Sequence, residues 1–398
     1  MKKKIMILGA SILQIPAIKK AKQMGLYVIC VDMNPMAIGF KYADEYYVIS
    51  TTDTENILGL AMKKRIDSII TLASDRPMIT VATVGEKLGL NTISIDTAIK
   101  ATNKCEMRKC LLDNGVAVPK FYKINSYKEY KSTIENFNSN FIVKPSDNSG
   151  SRGVFLGNKN KDERILNYIF DESKKQSYNG ELIVEEYMEG PEVSVESISY
   201  NGKVNIIAIT DKITTGAPHF VEMAHSQPSK LNESTKREIE SLAVSAIKAI
   251  GINNGPAHTE IIVTSEGPKI VEIGARLGGD NITTHLVPFS TGVDMIRACI
   301  DISLGNIPDC SIKYIKSSAI KYFKLGEGKI LKIDGVDEAK KIKNVKEINF
   351  TKSVGDKVSR ISNSSDRVGF VITQAEDVAS ATKACCRVED IISIKVER

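Results

Sequence analysis

The chain has 398 residues, of which 42% are hydrophobic and 26% charged, the composition of an ordinary globular protein. This length exceeds one ordinary hydrophobic core and predicts two or three domains. The net charge of +6 arises from 54 basic residues scattered among 48 acidic ones, without a dense basic block, which argues against a nucleic-acid binder. No apolar run approaches about 18 residues, so we expect no membrane span.

The cysteine pattern indicates the redox compartment. There are seven cysteines, an odd number with no Cys-x-x-Cys pair, and this predicts reduced thiols and a cytoplasmic protein. The N-terminal segment MKKKIMILGASIL superficially resembles a signal peptide, but its apolar part is short and strand-like, so we expect no export.

The first part of the chain alternates short apolar runs with amphipathic segments. Strands are predicted at 4–9, 27–32 and 66–74, and helices at 14–25, from Asp53 or Thr54 to 65, and at 77–90. This alternation predicts an open parallel sheet. Gly9 at the first strand end and Asp32 at the second are typical of a dinucleotide site, but the remaining glycines of that fingerprint are missing.

A glycine-rich loop follows a helix predicted at 97–114. The segment FIVKPSDNSGSRGVFLGN predicts a strand, a turn and a second strand, with Lys144 on the incoming strand. Backbone N–H groups of a flexible loop can wrap a phosphate, and a nearby lysine can reach the same anion. The residues that predict such a loop are Ser149, Gly150, Ser151 and Gly153. A plain turn is the alternative, because the Gly-Lys-Ser/Thr ending of a P-loop is absent.

The next segment, ELIVEEYMEGPEVSVESISY, predicts two strands separated by a Gly-Pro break. An extended stretch that includes Glu185, Tyr187 and Met188 could contact an adenine through its backbone, with Glu192 beyond the turn as an acceptor for ribose hydroxyls. An antiparallel hairpin with polar outer positions is the alternative reading.

Residues 211–230 show little periodicity and predict a long irregular loop, which inside a compact domain tends to be a binding loop or lid. His225 is the candidate functional residue in this loop, with an unremarkable surface histidine as the alternative. An amphipathic helix is predicted at 233–250, and an α+β segment from about 312 onward.

Two glutamates on a predicted hairpin form the strongest candidate for a reaction centre. Glu260 and Glu272 are separated by the turn signal Glu-Gly-Pro, and Arg276 follows four residues later. Paired carboxylates that lie together require a cation, and Mg²⁺ held by one or two carboxylates usually serves a nucleotide phosphate. The alternative is two surface glutamates on an amphipathic hairpin.

Taken in order, these segments resemble the ATP-grasp superfamily of carboxylate–amine and carboxylate–thiol ligases, over essentially the whole chain. The resemblance implies an ATP-grasp fold with α/β and α+β parts. The implied domains are a Rossmann-like, parallel-sheet pre-grasp domain at 1–96, an ATP-grasp domain at 97–310 with a nucleotide-clamping subdomain at about 115–188, and a C-terminal α+β subdomain at 311–398. The turn SDRVGFVI and the loop HSQPSKL further resemble the L-amino acid ligases that make dipeptides.

The resemblance also implies roles for individual residues. ATP would be bound through the lysines Lys104 and Lys144, the phosphate loop from Ser149 to Gly153, the adenine-edge residues Glu185, Tyr187 and Met188, and Glu192 at the ribose. Mg²⁺, with Mn²⁺ as an alternative, would be bridged by Glu260 and Glu272, and Arg276 and His225 are the predicted catalytic residues. One position departs, since the family usually has Glu-x-Asn-x-Arg and Gly274 replaces the asparagine that helps to bind a second metal ion.

The implied activity is an ATP-dependent ligation in which a carboxylate is activated as an acyl phosphate and joined to an amine, with an amino acid as the expected amine. The expected partners are ATP and small-molecule substrates, with no nucleic acid and no membrane, and a homodimer is common in the family. Two alternatives stay open: a carboxylase or formyltransferase of the purine-pathway type, and a non-catalytic ATP-binding protein, which Gly274 would support.

Overall fold

The computed structural model describes residues 2–397. Four sheets organise the chain, and they contain four, four, eight and three strands. No helix of the described residues is both long enough and apolar enough to cross a membrane. All seven cysteines carry free thiols.

The N-terminal sheet is parallel, as the alternating pattern predicts. Its strands are β1 (Lys4–Leu8), β2 (Tyr27–Asp32), β3 (Glu45–Val48) and β4 (Ser68–Thr71), in the order β3-β2-β1-β4. Helices α1 (Ile15–Gln23), α2 (Thr54–Lys64) and α3 (Met78–Leu88) connect or follow them. Strands β1, β2 and β4 are almost wholly buried, which explains their continuous apolar runs. The loops after β3 and β4 leave the carboxyl ends of the parallel strands and line a cavity beside the candidate site.

The single helix predicted at 97–114 is two helices, α4 (Ile95–Thr102) and α5 (Lys104–Asp113). Asn103 separates them in an extended conformation, and its side chain accepts hydrogen bonds from the N–H groups of Cys105 and Glu106. The predicted helical stretch is present, and the sequence pattern does not show the break because the apolar period continues across an N-cap that interrupts the backbone. As a consequence, Lys104 is the first residue of a helix.

A four-stranded antiparallel sheet follows and has a hydrophobic core of its own. It consists of β5 (Phe121–Ile124), β6 (Phe141–Pro145), β7 (Phe155–Gly157) and β8 (Leu182–Glu186), in the order β5-β8-β6-β7. Helices α6 (Tyr127–Ile134) and α7 (Glu163–Lys175) pack on it. The glycine-rich loop connects β6 to β7, as the sequence predicts, and we refer to this unit as the clamping sheet.

The remainder of the chain forms an eight-stranded antiparallel sheet and a small three-stranded one. In chain order the strands are β9 (Glu192–Tyr200), β10 (Lys203–Thr214), β11 (Glu222–Gln227), β12 (Gly255–Thr264), β13 (Gly267–Gly274), β14 (Ser317–Tyr322), β15 (Gly328–Asp334), β16 (Val345–Phe350), β17 (Lys357–Val358), β18 (Gly369–Ala375) and β19 (Ser393–Glu397). The large sheet has the order β13-β12-β9-β10-β11-β14-β18-β16, and the small one β17-β15-β19. The helices are α8 (Glu233–Ile250), α9 (Val287–Thr291), α10 (Met295–Ser303), α11 (Val336–Lys340) and α12 (Val378–Ile391).

Half of the predicted irregular loop at 211–230 is β-structure. Strand β10 extends to Thr214 and β11 begins at Glu222, so that only residues 215–221 connect the two strands. The prediction failed because these strands carry polar side chains such as Lys212 and His225, which face other charged groups inside the protein instead of an apolar core.

Candidate active site

A cavity of about 540 Å³ lies between the clamping sheet and the eight-stranded sheet. Most of the residues singled out in the sequence line this one space, although they come from distant parts of the chain. They are Lys104, Lys144, Ser149, Gly150, Ser151, Glu185, Tyr187, Met188, Glu192, Glu260, Glu272 and Arg276. Two others, Gly153 and His225, do not line it.

The two glutamates of the predicted hairpin are direct cross-strand partners. Strands β12 and β13 pair antiparallel, with Glu260 opposite Glu272, and the turn between them uses Gly267 at φ +109°. Residues opposite each other in an antiparallel pair have Cβ atoms about 5 Å apart and point to the same face of the sheet. The hairpin therefore presents two carboxylates side by side to the cavity.

Each of these carboxylates already has a basic neighbour. Lys104 Nζ donates to Glu272 Oε1 at 3.0 Å and to the backbone carbonyl of Asn148 at 2.7 Å, which ties the start of α5 to the glycine-rich loop. Lys212 Nζ lies 2.7 Å from Glu260 Oε1. These ammonium groups neutralise two carboxylates whose side chains are about one-fifth exposed.

Lys212 is the centre of a charge cluster that the sequence analysis missed. Its side chain is 2% exposed, and its Nζ lies 2.6 Å from Glu192 and 3.7 Å from Glu222 in addition to Glu260. Burial alone would lower the pKa of Lys212, but the three carboxylates outweigh burial and raise it well above its ordinary value. The pairing of Lys212 opposite Glu192 on strands β10 and β9 is the signal that could have revealed it.

Glu185 lines the cavity, and its carboxylate lies between two cations. Its side chain is 4% exposed; one oxygen accepts from Arg108 Nε at 2.6 Å and the other lies 2.5 Å from Lys144 Nζ. Burial raises the pKa of this carboxyl, but the charges of Arg108 and Lys144 prevail and lower it to about 2. Both oxygens of the Glu185 carboxylate are paired with cations, so this carboxylate holds Lys144 in place; the predicted adenine contact, made through the backbone of this segment, stays a prediction.

The extended segment after β8 forms one wall of the cavity. Tyr187 and Met188 lie on this wall, and the ring of Tyr187 is 6.2 Å from that of Phe220, in the connection between β10 and β11. Glu192, at the start of β9, is held by Lys212. This wall combines apolar surface with a carboxylate, a composition suited to a flat base and a ribose.

Three residues of the glycine-rich loop have positive φ, namely Gly150, Ser151 and Gly153. Gly153 packs away from the cavity, because a Cβ there would lie 2.8 Å from the side chain of Gln176. Ser149, Gly150 and Ser151 face the cavity; the N–H of Ser149 donates to Asn148 Oδ1 at 2.9 Å, and the N–H groups of Gly150 and Ser151 are the ones that lack an acceptor among residues 2–397.

A buried histidine lies beside Glu260 of the hairpin. His258 Nδ1 is 2.6 Å from Glu196 Oε1, and its Nε2 is 3.3 Å from Glu260 Oε1. Burial lowers the pKa of His258, but Glu196 and then Glu260 more than compensate and raise it to about 9. Gly278 leaves room for this pair, since a Cβ there would lie 2.7 Å from His258 Nδ1. The sequence analysis had assigned no role to His258.

His225, predicted as a catalytic residue, occupies a separate cluster next to the cavity. Its ring is 2% exposed, and Nε2 lies 3.3 Å from Asp280 Oδ2. Asp280 in turn accepts two hydrogen bonds from Arg367, at 2.8 and 2.6 Å. His225 therefore contacts Asp280, which binds Arg367 of the C-terminal segment, and His225 does not line the cavity.

Arg276 is held by a residue from the N-terminal sheet. Asp75, in the loop after β4, accepts from Arg276 Nε at 2.7 Å and from Nη2 at 3.1 Å. Asp75 also lines a second, smaller cavity of about 240 Å³ that shares Asn148, Ser149 and Glu272 with the large one. Two cavities therefore adjoin the residues at the centre of the site, Asn148, Ser149 and Glu272.

The donor set on the hairpin suits Mg²⁺ as a partner of phosphate. No group of three acidic, histidine or cysteine side chains within residues 2–397 is arranged to hold an ion by itself. Mg²⁺ is commonly bound by one or two carboxylates and completes its shell with phosphate oxygens and water. The side-by-side pair Glu260 and Glu272, facing a cavity with two lysines, fits that requirement.

Comparisons with known proteins agree with this geometry. Residues 137–284 match the ATP-grasp domain and residues 321–397 match L-amino acid ligase C-terminal domain 2, together more than half of the chain. The chain is 24% identical over 336 residues to an L-arginine-specific L-amino acid ligase of Bacillus subtilis, which covers 81% of this chain and 80% of that protein.

It is also 28% identical over 237 residues to the alanine–anticapsin ligase of Bacillus subtilis (strain 168); this match covers 54% of the chain and spans only half of that relative's length. A crystal structure of an L-amino acid ligase from Bacillus licheniformis has the same fold, with a TM-score of 0.87 at 22% identity over 100% of this chain and 99% of that one. The chain therefore belongs to the ATP-grasp superfamily of carboxylate–amine ligases and carries the C-terminal domain of the L-amino acid ligases.

Proposed function

We propose that this protein activates a carboxylate with ATP and joins it to the amine of an amino acid, releasing ADP and phosphate. The observation that carries the proposal is the convergence of Glu260, Glu272, Lys104, Lys144 and Arg276 on one cavity. This set is rich in positive charge and carboxylates and lacks a nucleophile, which suits a reaction catalysed by positioning and charge stabilisation.

In the proposed binding mode, the base of ATP lies against Tyr187 and Met188, and the ribose lies near Glu192. The phosphates extend toward Lys144 and the backbone N–H groups of Gly150 and Ser151. Glu260 and Glu272 would hold Mg²⁺, or Mn²⁺ in its place, and the ion would supply charge neutralisation at the phosphate oxygens.

The chemistry then takes two displacements. A substrate carboxylate oxygen attacks the γ-phosphorus, which breaks the bond to ADP and gives an acyl phosphate. An amine nitrogen attacks the acyl carbon, loses a proton and displaces phosphate, which leaves an amide. Arg276 would stabilise the charge on the transferred phosphoryl group and on the tetrahedral oxyanion, because its guanidinium faces the cavity beside Glu272.

The deciding experiment measures phosphate release from ATP and Mg²⁺ with pooled amino acids and identifies products by mass spectrometry. We expect amino-acid-dependent phosphate and a product lighter by one water than the sum of two substrates. Phosphate release that depends on bicarbonate or formate would instead indicate a carboxylase or formyltransferase. ATP binding without turnover on any of these substrates would contradict a ligase.

Arg276 gives a specific prediction within this assay. Replacing Arg276 by Ala should lower turnover roughly 10²- to 10³-fold, by analogy with the loss of one oxyanion donor. Exposed Arg297, on the surface of α10, is the matched control, and Arg297→Ala should retain turnover. Near-normal turnover of Arg276→Ala would show that the role assigned to this guanidinium is wrong.

A further inference from the structure

Gly274, which ends strand β13, lies directly against a carboxylate from another part of the chain. A Cβ at this position would be 3.1 Å from Asp75 Oδ1 and 3.2 Å from Arg276 Cζ, closer than most Cβ contacts in proteins. Asp75 reaches this place from the loop after β4, in the N-terminal sheet. The side chain that the family pattern places at 274 would therefore compete for space with the Asp75–Arg276 pair.

The Asp75–Arg276 pair has the geometry of a strong, oriented contact. Arg276 uses Nε and Nη2 for two hydrogen bonds to the two oxygens of Asp75, and both side chains are less than 15% exposed. Burial raises the pKa of Asp75, but the charge of Arg276 and then their hydrogen bond lower it below its ordinary value. Two parallel bonds fix the plane of a guanidinium as well as its position.

The remaining donors of Arg276 face the site. Among residues 2–397, the guanidinium also donates from Nη1 to the carbonyl of Leu277 at 3.3 Å, so two of its five N–H groups lack a protein acceptor. Because Arg276 lines the large cavity, those groups are available to an anionic oxygen there. Asp75 thus holds one edge of the guanidinium and leaves the other edge available to a reactant.

We propose that Asp75 is a positioning residue for Arg276, and that Gly274 is required because the Asp75 carboxylate occupies the space of a side chain at that position. Both oxygens of Asp75 are engaged by Arg276, so Asp75 replaces the bulk of the usual asparagine and not its metal-binding oxygen. Glycine at position 274 then accommodates a different arrangement of the active site and does not indicate a loss of activity. The inference rests on the proposed role of Arg276 in the ligase reaction.

Two single substitutions test the Asp75–Arg276 pair, one at Asp75 itself and one at the neighbouring Gly274. Asp75→Asn keeps the size of the side chain and removes its charge, and Gly274→Ala inserts a methyl group beside the pair. Each should lower kcat roughly 10- to 100-fold, as a displacement of about 1 Å does, with the KM for ATP unchanged. The matched controls are Asp67→Asn, on the exposed rim of the N-terminal sheet, and Gly59→Ala, where a Cβ would meet nothing within 4 Å.

A double substitution separates positioning from simple structural support. Asp75→Ala combined with Gly274→Asp moves the carboxylate to strand β13, into the space that Asp75 vacates, where it can engage the same guanidinium. We expect its kcat to exceed that of Asp75→Ala by roughly tenfold, a non-additive result that a structural role would not produce. Thermal unfolding and ATP titration by calorimetry verify that each variant is folded and binds nucleotide.

The outcomes distinguish this inference from the proposed function. If the wild-type protein turns over amino acids and Arg276→Ala does not, but Asp75→Asn and Gly274→Ala match the wild type, the positioning role is overturned and the ligase stands. A folded double variant with no recovery over Asp75→Ala also overturns it. If the wild-type protein lacks amine-dependent turnover while it binds ATP, the proposed function itself fails.

Discussion

At Glu185, burial and ion pairing act on one carboxyl in opposite directions, and ion pairing prevails. The side chain lies between Arg108 and Lys144, and its pKa is lowered from 4.5 to about 2. A carboxyl whose pKa is lower in the folded state stabilises the fold above its unfolded pKa, and this stabilisation is lost as the pH falls toward the folded value. The relevant window therefore runs from about pH 4.5 down to about pH 2.

We predict that Glu185→Gln loses stability at neutral pH, because two buried cations then lack their carboxylate. The difference in unfolding free energy from the wild type should shrink as the pH falls below 4.5, by a total of roughly 3 kcal/mol. Denaturant unfolding at pH 6, 4 and 3 measures it. Glu86→Gln, at an exposed position of α3, should show no such change, and a constant difference for Glu185→Gln across the window would contradict the prediction.

The charged residues that sequence analysis missed share a physical explanation. Lys212 lies far along the chain from Glu260, His258 from Glu196, and Asp75 from Arg276, and each is polar within a stretch that carries no recognised motif. A sequence pattern identifies groups that act together when they are close in sequence. These groups are brought together only by strand pairing and by the packing of the N-terminal sheet.

At the scale of elements, the break between α4 and α5 controls the position of Lys104. Asn103 caps α5, and the backbone N–H of Lys104 itself donates to the carbonyl of Ser146 at 2.7 Å, just before the glycine-rich loop. The side chain of Lys104 then extends to Asn148 and Glu272. A local capping interaction thus aligns a helix start with the predicted phosphate site.

We predict that Asn103→Ala destabilises the protein by about 1 kcal/mol, the usual cost of losing an N-cap, and also weakens ATP binding by displacing Lys104. Ser126 caps α6 in the same way through the N–H of Glu129, on the outside of the clamping sheet, and is the matched control. Ser126→Ala should lose a similar stability and bind ATP normally. Chemical denaturation and calorimetric titration of ATP measure both effects; equal ATP affinity for the two variants would refute the link to Lys104.

At the scale of the whole molecule, the C-terminal strands continue the sheet that carries the site. Strand β14 pairs with β11 and with β18, so the eight-stranded sheet contains strands from both sides of the boundary predicted at 311. One hydrophobic core includes Ile18 of α1, Ile300 of α10, and Ile320 of β14. The predicted domain boundaries stay predictions, but these contacts couple the C-terminal segment to the candidate site.

This continuity predicts that all strands of the eight-stranded sheet, including the C-terminal strands β14, β16 and β18, unfold together. Ile320→Ala, at 1% exposure, should lower the stability of one shared transition by about 2–5 kcal/mol. Ile315→Ala, at 85% exposure and just before the same strand, should change it little. Scanning calorimetry with and without ATP measures the transition. A separate early transition in Ile320→Ala that leaves the ATP-dependent transition unshifted would contradict the coupling.

The sequence by itself determined the fold class, the family and the type of chemistry. Local periodicity and turn residues can be recognised directly in the sequence. They predict the buried parallel strands, the Glu260–Glu272 hairpin and the glycine-rich loop. The family and the fold class are confirmed by the two domain matches and by the architecture. The individual binding roles stay predictions.

Which charges meet depends on tertiary packing. It placed the Glu185 carboxylate between Arg108 and Lys144, moved His225 into a cluster with Asp280, and put Asp75 in the space that Gly274 leaves open. The energies of buried charges depend on distances of a few ångströms between residues that are far apart in sequence. No local pattern encodes those distances, since they are set when the N-terminal sheet, the clamping sheet and the eight-stranded sheet pack around one cavity.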